Sequence, residues 1–513
     1  MSAWRVFWVG SDWVGRSGAP ELEGAGVGMR VGDAVFVSPD HRIDPGLCRY
    51  GQSAVFRKFT TETRRNYAGD LVLLLTFLTS RRRHWTQARD QDLKDFKDWR
   101  FSAPQNPGRV GASKSNRELA AFATFFKWAH KNQYVPVSPV TVRDAVGMDG
   151  AVREVLEDLE PVRPAAGMHW LTPRAWRLWI DIGLRGQTAQ GLVEPGWLGR
   201  LEDRNVAFSR LVVSSGLRRQ EAGSLLTFET PHQRLGGSRY CYGRVAAEAT
   251  RAKAARTYYA SSESTRDIES YAESSRAWAV RKAQAKGRYE RVAGLRSVSE
   301  VSPGPRRVVC WVERDGTRCR QALDRLTWQD RTLLYTEGSQ GPEPLWLWLN
   351  EAGLPLNPHS WDAVFRTANL RCQAALEPPA GIRADPHRLY WPYATVQAGR
   401  HSFALKMLVT LNQLLDRRFG LTARERRYYG LLLGDPWQMV QGLLGHATRQ
   451  VTVERYLAPV RHLDLAALLR EAENPQGDEA FDLDEVFAKL ARESDGIQDI
   501  DVRMTPAPAA VAE

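Results

Sequence analysis

The sequence predicts a mainly α-helical fold with a small β-sheet or hairpin element, an α+β architecture. Apolar residues recur at helical spacing in residues 61–78 and 113–131, which is typical of amphipathic helices. Residues 240–247 and 256–260 are two β-type runs separated by a turn, the pattern of a hairpin. A chain of 513 residues is also too long for one ordinary core, so we expect more than one domain.

The first part of the chain is expected to be a small helical domain. Residues 1–44 are rich in glycine with short β-like runs, and we interpret them as an N-terminal arm or small hairpin. Residues 45–140 contain three amphipathic helical patterns between loops marked by proline and glycine, which predicts the helical domain itself. We interpret residues 141–171, which are mixed in composition, as a linker.

A second domain is predicted for residues 172–462, where helical patterns surround the hairpin. Within it we expect an insertion near residues 262–335 that includes a highly charged helix. The apolar run at 346–348, Trp-Leu-Trp, is expected in the core. Residues 463–513 predict acidic C-terminal helices followed by a disordered tail.

The charge is unevenly distributed along the chain. The net charge is +12, but residues 463–513 hold 13 acidic and 4 basic residues, so residues 1–462 carry +21. A body this basic favours a polyanionic partner, DNA or RNA, although solvated surface charge is the plainer interpretation. In the helical domain, the basic residues that edge the predicted helices are candidates for phosphate contacts: Arg64, Arg65, Lys114, Arg117, Lys127 and Lys131.

Several classes of protein are disfavoured by composition. The five cysteines are scattered and odd in number, so we expect reduced thiols rather than a disulfide framework. No cluster with four suitable ligands suggests a structural zinc, and we expect no metal. No signal peptide is visible, and the longest apolar run, 71–78, is too short to span a bilayer. We therefore expect a cytoplasmic protein with no membrane association.

Three separated motifs carry the chemistry. They are SSGLRRQE at 214–221, AGRHSFAL at 398–405, and LLGH at 443–446 followed by Tyr456 ten residues after the histidine. Taken singly, an arginine is usually an ion-pair partner, a histidine after glycine a cap or core residue, and a tyrosine a buried ring. Together they offer guanidinium groups for a phosphate and a phenol that can attack it.

The ordered set resembles the tyrosine recombinases of the phage-integrase type over about residues 45–460. The resemblance implies that the helical domain is a core-binding domain that contacts DNA and that the second domain is the catalytic domain. Glu221 is implied as a supporting residue beside the first arginine. The resemblance assigns the catalytic positions to Arg218, Lys253, Gln397, Arg400, His446 and Tyr456, with Tyr456 as the nucleophile.

Two of these assignments depart from the family pattern or leave an alternative open. The family uses a lysine on a β-hairpin, and the segment TRAKAART offers Lys253, with Arg251 as the alternative. Because a shift of two residues along a strand keeps the same face, either side chain can point inward. Gln397 stands where the family usually has a histidine; an amide can bind a phosphate but cannot take a proton.

The resemblance implies a site-specific recombinase that cuts and rejoins DNA through a 3′-phosphotyrosyl intermediate. The implied partners are double-stranded DNA and further copies of the chain in a tetramer on DNA, and the expected use is integration or excision of a mobile element. No cofactor is expected, because the covalent ester conserves the energy of the broken bond. Two alternatives remain: a catalytically impaired DNA-binding protein of the same fold, and a topoisomerase-like DNA-relaxing enzyme.

Overall fold

A computed structural model describes residues 3–10, 29–104, 106, 108–146, 152–161, 170–234, 240–304, 306–313, 315–377, 391–419, 436–445 and 497–498. The chain divides into two compact units, Met1–Ala165 and Ala166–Glu513. Helices prevail in both units and the sheets are small, which confirms the predicted α+β class.

The first unit is a group of helices with two small strand pairs. Its helices are α1 (Pro45–Gln52), α2 (Ala54–Arg57), α3 (Thr61–Ser80), α4 (Asp90–Phe101) and α5 (Ala112–Lys131). Its antiparallel strand pairs are β1 (Arg5–Trp8) with β2 (Ala34–Val37), and β3 (Val142–Val146) with β4 (Val152–Leu156). The described parts of the expected arm and of the expected linker thus contribute strands to this unit.

The helices of the first unit form where the sequence supplies caps and an apolar face. Thr60 caps α3 by accepting a hydrogen bond from the Thr63 backbone N–H, which satisfies one free donor of the first turn. The apolar face of α3 is buried as its spacing predicts, at Leu71, Leu74, Leu75 and Leu78. On the facing helix α5, aromatic rings fill the centre of the core: Phe122, Phe125, Phe126 and Trp128 are all buried.

The second unit combines helices with a three-stranded and a five-stranded sheet. Its helices are α6 (Pro173–Trp179), α7 (Glu202–Ser215), α8 (Arg219–Gly223), α9 (Ser262–Tyr271), α10 (Ala277–Ala285), α11 (Trp328–Arg331), α12 (Trp361–Leu376), α13 (Val396–Phe419) and α14 (Pro436–Leu444). Its strands are β5 (Trp170–Leu171), β6 (Gln233–Arg234), β7 (Tyr240–Val245), β8 (Arg256–Ser261), β9 (Arg296–Val301), β10 (Val308–Val312), β11 (Arg318–Ala322), β12 (Leu334–Gly338), β13 (Gly341–Pro344) and β14 (Ile497–Gln498).

The two larger sheets have different connectivity. The first has the order β6-β7-β8, and its β7–β8 pair is the predicted antiparallel hairpin. The second has the order β11-β10-β9-β12-β13 and is antiparallel except where β9 pairs with β12. Most of this sheet and the charged helices α9 and α10 lie in the stretch expected to be an insertion. Tyr271 and Tyr289 from that stretch are fully buried in the main core, so it is integrated with the rest of the unit.

Tryptophans dominate the core of the second unit. Trp346 and Trp348 are fully buried, which confirms the prediction for the Trp-Leu-Trp run. Trp348 lies edge-on to Trp361, and the Trp361 ring stacks on Phe208 of α7. The Trp348 indole N–H donates to the carbonyl of Ala222 at 2.8 Å. This bond ties the short helix α8, which follows Arg218, to the centre of the core.

One structural expectation about the hairpin is wrong. Residues 251–253 lie in a turn between β7 and β8, so neither Arg251 nor Lys253 is on a strand. Lys253 has a positive φ of 53°, a left-handed conformation that a strand does not contain. The argument from alternating strand faces therefore does not apply to these two residues. The sequence does predict a turn between residues 247 and 256, so the error lies only in comparing Arg251 and Lys253 as if they were strand residues.

The cysteines and the apolar segments give two further findings. All five cysteines are free thiols, and Cys310 and Cys319 lie on adjacent strands of the β10–β11 hairpin. Among the described helices, none combines the length and the apolar character that a membrane span requires. The expected acidic helices after residue 463 lie outside the described residues.

Phe125→Ala should destabilise the first unit by about 3–5 kcal/mol, because it removes a fully buried ring from contact with Tyr50 and Trp85 and leaves a cavity. Urea unfolding followed by hydrogen exchange in α3 and α5 measures the loss. Val142→Ala, at an exposed position on β3, serves as the control and should change stability by less than about 0.5 kcal/mol. Equal effects of the two substitutions would contradict the described core.

Candidate functional site: an arginine cluster around a buried carboxylate

The carboxylate of Glu221 lies at the centre of the site and is almost completely buried. It belongs to the first turn of α8 and reaches back to the start of that helix. Its Oε2 accepts from the Arg218 backbone N–H at 2.9 Å, and its Oε1 accepts from the Arg218 Nη1 at 3.0 Å. The local sequence thus closes a loop in which Glu221 both caps the helix and holds the guanidinium of Arg218.

Arg400 reaches the same carboxylate from α13. Its side chain is fully buried, and its Nη1 lies 4.0 Å from Glu221 Oε2. Its Nη1 donates to the carbonyl of Gly216 at 2.5 Å, and its Nη2 donates to the carbonyl of Leu444 at 2.6 Å. The structure therefore brings the arginines of the first and second motifs together, although 182 positions separate them in the sequence.

A third arginine, Arg256, completes the group and was missed by the sequence reasoning. It is the first residue of β8, and its Nη2 donates to Glu221 Oε2 at 2.7 Å. Its Nη1 donates to the carbonyl of Leu443 at 2.8 Å. The only signal in the sequence is that Arg256 belongs to the same basic segment as Arg251 and Lys253. We call Glu221, Arg218, Arg256 and Arg400 the Glu221 cluster.

The electrostatics of the cluster keep the carboxylate charged. Burial by itself raises the pKa of Glu221, and the positive charges of Arg256 and Arg400, with the N–H of Arg218, lower it. The arginines prevail, so the pKa of Glu221 lies below the ordinary glutamate value. A charged carboxylate compensates part of the positive charge that Arg400 carries in its buried position.

Lys253, the expected hairpin lysine, is not part of the Glu221 cluster. It lies on the β7–β8 loop, about half exposed, and its ammonium pairs with the carboxylate of Glu248 on the same loop. Its Nζ also lies 3.4 Å from the Glu248 carbonyl. The alternative, Arg251, is exposed on the same turn. Of the basic residues in this segment, the structure brings Arg256 and not Lys253 to Glu221.

Gln397 lies on α13, one turn before Arg400, and its side chain is exposed. Its Nε2 lies 3.1 Å from Nε2 of His401, which is itself mostly buried and lies beside the ring of Trp170. Ser402 accepts a hydrogen bond from the Leu171 backbone N–H at 2.9 Å, which fixes β5 to α13. The described contact of Gln397 is thus with His401 of the same helix.

His446 and Tyr456 lie outside the described residues, which end at Gly445 in this part of the chain. The helix that leads to them, α14, packs on α13 through a small apolar cluster that includes Val440, Leu444 and Phe403. Its last two carbonyls, those of Leu443 and Leu444, each accept an arginine N–H from the Glu221 cluster. The cluster therefore holds the chain at Leu443 and Leu444, two to three residues before His446 in the sequence.

The six basic candidates of the helical domain differ in how they are bound. Asp70, a buried carboxylate on α3, accepts from Lys114 at 2.5 Å and from Arg117 at 3.1 and 3.2 Å. Lys127 pairs with Glu154, and Arg64 donates to the Gly32 carbonyl. The remaining two, Arg65 and Lys131, are exposed and have no ion pair with any described residue.

The described residues contain no group of three His, Cys, Asp or Glu side chains arranged to hold a metal ion. The site is therefore characterised by its charges, which are three guanidinium groups around one carboxylate. Arg218 is the most accessible of the three, with about a quarter of its side chain exposed. It can offer N–H donors to an anion, while Arg256 and Arg400 are mainly engaged with the protein.

Comparison with known proteins links this chain to a family at its N-terminal helices. Residues 55–133 match the family described as phage integrase, N-terminal SAM-like domain. Comparison with curated proteins gives no significant match. The fold is also similar to a crystal structure of the XerH site-specific recombinase bound to palindromic difH substrate in a post-cleavage complex. That similarity has a TM-score of 0.39 and 14% identity over 81% of this chain and 82% of that one.

A second similar structure is XerH bound to difH substrate in a pre-cleavage complex. Its TM-score is 0.38, with 12% identity over 81% of each chain. The family match covers residues 55–133, a part of the first unit.

Glu221→Gln should destabilise the second unit at pH 7 by about 3–5 kcal/mol, because it leaves the buried charge of Arg400 without its counter-charge. The folded-state pKa of Glu221 lies below the unfolded value of about 4.3, so its stabilising contribution is present above that value and is lost as pH falls through the folded pKa. The stability difference between wild type and variant should therefore shrink in acid.

Urea unfolding followed by hydrogen exchange in α7, repeated between neutral and acidic pH, measures this difference. Glu263→Gln is the matched control, because Glu263 is an exposed carboxylate that pairs with Arg210 at the surface. It should cost less than about 1 kcal/mol. A constant difference between wild type and Glu221→Gln across the acid range would show that Glu221 is not held ionised by the arginines.

Proposed function

We propose that this chain is a tyrosine recombinase, a site-specific DNA recombinase; the match of residues 55–133 to the phage-integrase N-terminal SAM-like domain supports this proposal. It cuts one DNA strand at a time through a 3′-phosphotyrosyl intermediate on Tyr456 and rejoins it to a partner strand. Its proposed biological use is the integration or excision of a mobile element, by a tetramer assembled on two DNA sites. The catalytic residues of this proposal are Arg218, Lys253, Gln397, Arg400, His446 and Tyr456.

One observation carries the proposal beyond the family match. Arg218 and Arg400, from two motifs far apart in the sequence, meet at the carboxylate of Glu221. The same cluster binds the end of α14, the helix that leads to His446. An arrangement of this kind concentrates positive charge where a phosphodiester in transfer develops negative charge. Arginines with a purely structural role would not require segments from three separate motifs to come together at one carboxylate.

The proposed reaction is balanced without a metal or a nucleotide. The phenol of Tyr456 gives up its proton to solvent as its oxygen attacks phosphorus, the bond to the 5′ oxygen breaks, and that oxygen leaves as a hydroxyl after it takes a proton. A 5′ hydroxyl from the partner strand then attacks the phosphotyrosyl ester and releases Tyr456. Arg218 and His446 donate hydrogen bonds to the non-bridging oxygens of the phosphate. The positive charge of the buried Arg400 adds to the stabilisation of the negative charge on these oxygens.

The proton for the leaving 5′ oxygen is assigned to Lys253 in this proposal. An ammonium is a competent general acid, whereas an arginine is protonated at all relevant pH values and cannot supply the proton. Lys253 pairs with Glu248 on its own loop, so its ammonium must exchange that carboxylate for the DNA. Loops between strands are the parts of a domain that move most easily, which makes this exchange compatible with the rest of the site.

Gln397 supports a second candidate function, a DNA-binding protein of the same fold with impaired catalysis. An amide at this position can hydrogen-bond a phosphate or the tyrosine hydroxyl, but it cannot accept a proton. Its neighbour His401 lies within hydrogen-bonding distance of it and is a titratable group. The two candidates differ in one outcome: only the recombinase forms a covalent adduct with DNA, whereas both bind it.

In this proposal, the affinity for DNA comes mainly from contacts with phosphates. The body of the chain is strongly basic, and charge neutralisation is the main source of affinity for a duplex backbone. Within the helical domain we assign these contacts to Arg65, at the start of α3, and Lys131, at the end of α5. Lys114 and Arg117 are bound to a buried carboxylate, so they would have to give up Asp70 before they could contact a phosphate.

Tyr456→Phe should abolish the covalent adduct while it leaves DNA affinity within about twofold, because only the attacking oxygen is removed. The substrate is a nicked duplex carrying a site selected for binding to the full-length chain, and the adduct is detected as a species that survives denaturation by detergent. Tyr428→Phe and Tyr429→Phe are matched controls and should retain the adduct. Tight binding by the wild-type chain without any adduct would favour the impaired DNA-binding protein.

The double substitution Arg65→Gln and Lys131→Gln should weaken DNA binding at all sequences alike. It should also reduce the slope of log affinity against log salt by about 2, because each lost phosphate contact on a duplex removes about 0.9. Binding titrations between low and moderate salt measure the slope. Lys94→Gln, an exposed lysine paired with Asp90, is the control, and an equal change in its slope would place the DNA contacts elsewhere.

A further inference from the structure

Arg256 connects two parts of the site that are distant in the sequence. Its guanidinium donates to Glu221 at 2.7 Å with Nη2 and to the Leu443 carbonyl at 2.8 Å with Nη1. Its side chain is 13% exposed, so both bonds are shielded from water. A charge-assisted bond in such a place is stronger and more directional than one at the surface. One planar group therefore fixes the distance between the Glu221 carboxylate and the end of α14.

The end of α14 requires hydrogen-bond donors from outside the helix. The last carbonyls of a helix have no partner within the helix and take donors from elsewhere. Here Arg256 supplies a donor to Leu443, and Arg400 supplies one to Leu444. The positive charges also lie at the negative end of the helix dipole, which adds to the stabilisation. The two arginines together determine where the chain leaves α14 on its way to His446.

The residue after the helix shows how closely Arg256 is packed. Gly445 has a positive φ of 62°, the left-handed conformation that typically ends a helix. A Cβ added there would lie 2.8 Å from Cδ and 3.0 Å from Nε of Arg256. Glycine is thus required twice, by its backbone angle and by the arginine beside it. This contact places the Arg256 side chain directly against Gly445, the last described residue in this part of the chain.

We infer that Arg256 is a positioning residue: it anchors the end of α14, the helix that precedes His446 in the sequence, to Glu221. Arg256 is distinct from the hairpin lysine, which pairs with Glu248. The inference has a structural part, the anchoring of α14, and a catalytic part, the dependence of adduct formation on that anchor. The catalytic part rests on the proposed function, whereas the structural part does not depend on it.

The structural part is tested by hydrogen exchange on the full-length chain. Arg256→Gln should increase exchange in the segment 436–446, because the Leu443 carbonyl and Glu221 lose their common donor, and should leave α7 unchanged. Arg256→Lys keeps the charge but cannot reach both acceptors at once, so its exchange should be intermediate. Arg244→Gln is the matched control, since Arg244 lies on the paired strand β7 and contacts Asp324 instead.

The catalytic part is tested on the nicked duplex described above. Arg256→Gln should slow formation of the covalent adduct by about 10- to 100-fold with DNA affinity within about twofold, the loss expected for one charged hydrogen bond. In the double variant with His446→Gln, the total loss of rate should be much smaller than the product of the two separate losses. An effect of Arg256 that acts through His446 disappears once the histidine is replaced. A residue that supports only stability would give the full product.

Two results would overturn the inference. Unchanged exchange in 436–446 for Arg256→Gln would show that the arginine does not anchor α14. A loss of DNA affinity as large as the loss of adduct formation would show that Arg256 contacts DNA directly. A wild-type chain that forms no adduct would contradict the proposed function instead, and the exchange comparison would still decide on the anchor.

Discussion

The ionised carboxylate of Glu221 is the constraint on which the rest of the site depends. Three guanidinium groups from three separate segments approach it, and one of them, on Arg400, is completely buried. Burying like charges together is unfavourable unless a counter-charge and hydrogen bonds compensate them. Glu221 provides the counter-charge, and backbone carbonyls provide the remaining acceptors. The segments of the second unit that carry the motifs are thereby forced to meet at one point.

The carbonyls that the arginines use lie at two chain reversals. Gly216 and Gly445 both have positive φ values and both end helices, α7 and α14. Arg400 donates to the carbonyl of Gly216, just before Arg218, and to that of Leu444, just before Gly445. The glycines in SSGLRRQE and LLGH thus allow the turns, and the arginines fix the turned chain. Side chains that fix the backbone in this way also hold their neighbours in the positions from which those neighbours can act on a substrate.

The hairpin and the helical domain show where reasoning from sequence reaches its limit. The β7–β8 pair and the turn between its strands follow from the sequence, but the comparison of Arg251 with Lys253 treated two residues of that turn as strand residues. Arg256 was overlooked because spacing does not reveal which residue of a basic segment faces a buried carboxylate. The six basic residues of the helical domain looked equivalent in sequence. Their contacts distinguish them. Lys114 and Arg117 pair with the buried carboxylate of Asp70, whereas Arg65 and Lys131 are exposed. Asp70 lies dozens of residues from the two side chains that it binds, so the periodicity of the sequence does not reveal these ion pairs.

The sequence alone determined the amphipathic helices, the α+β class and the resemblance carried by SSGLRRQE and AGRHSFAL, because these depend on local spacing and on residue type. Only the tertiary structure decided that Arg218, Arg256 and Arg400 share one carboxylate, that Lys253 pairs with Glu248, and that the stretch from 262 to 335 enters the main core. The physical reason is that charge pairing and burial depend on distances in space, which long-range packing sets and which the order of residues does not specify.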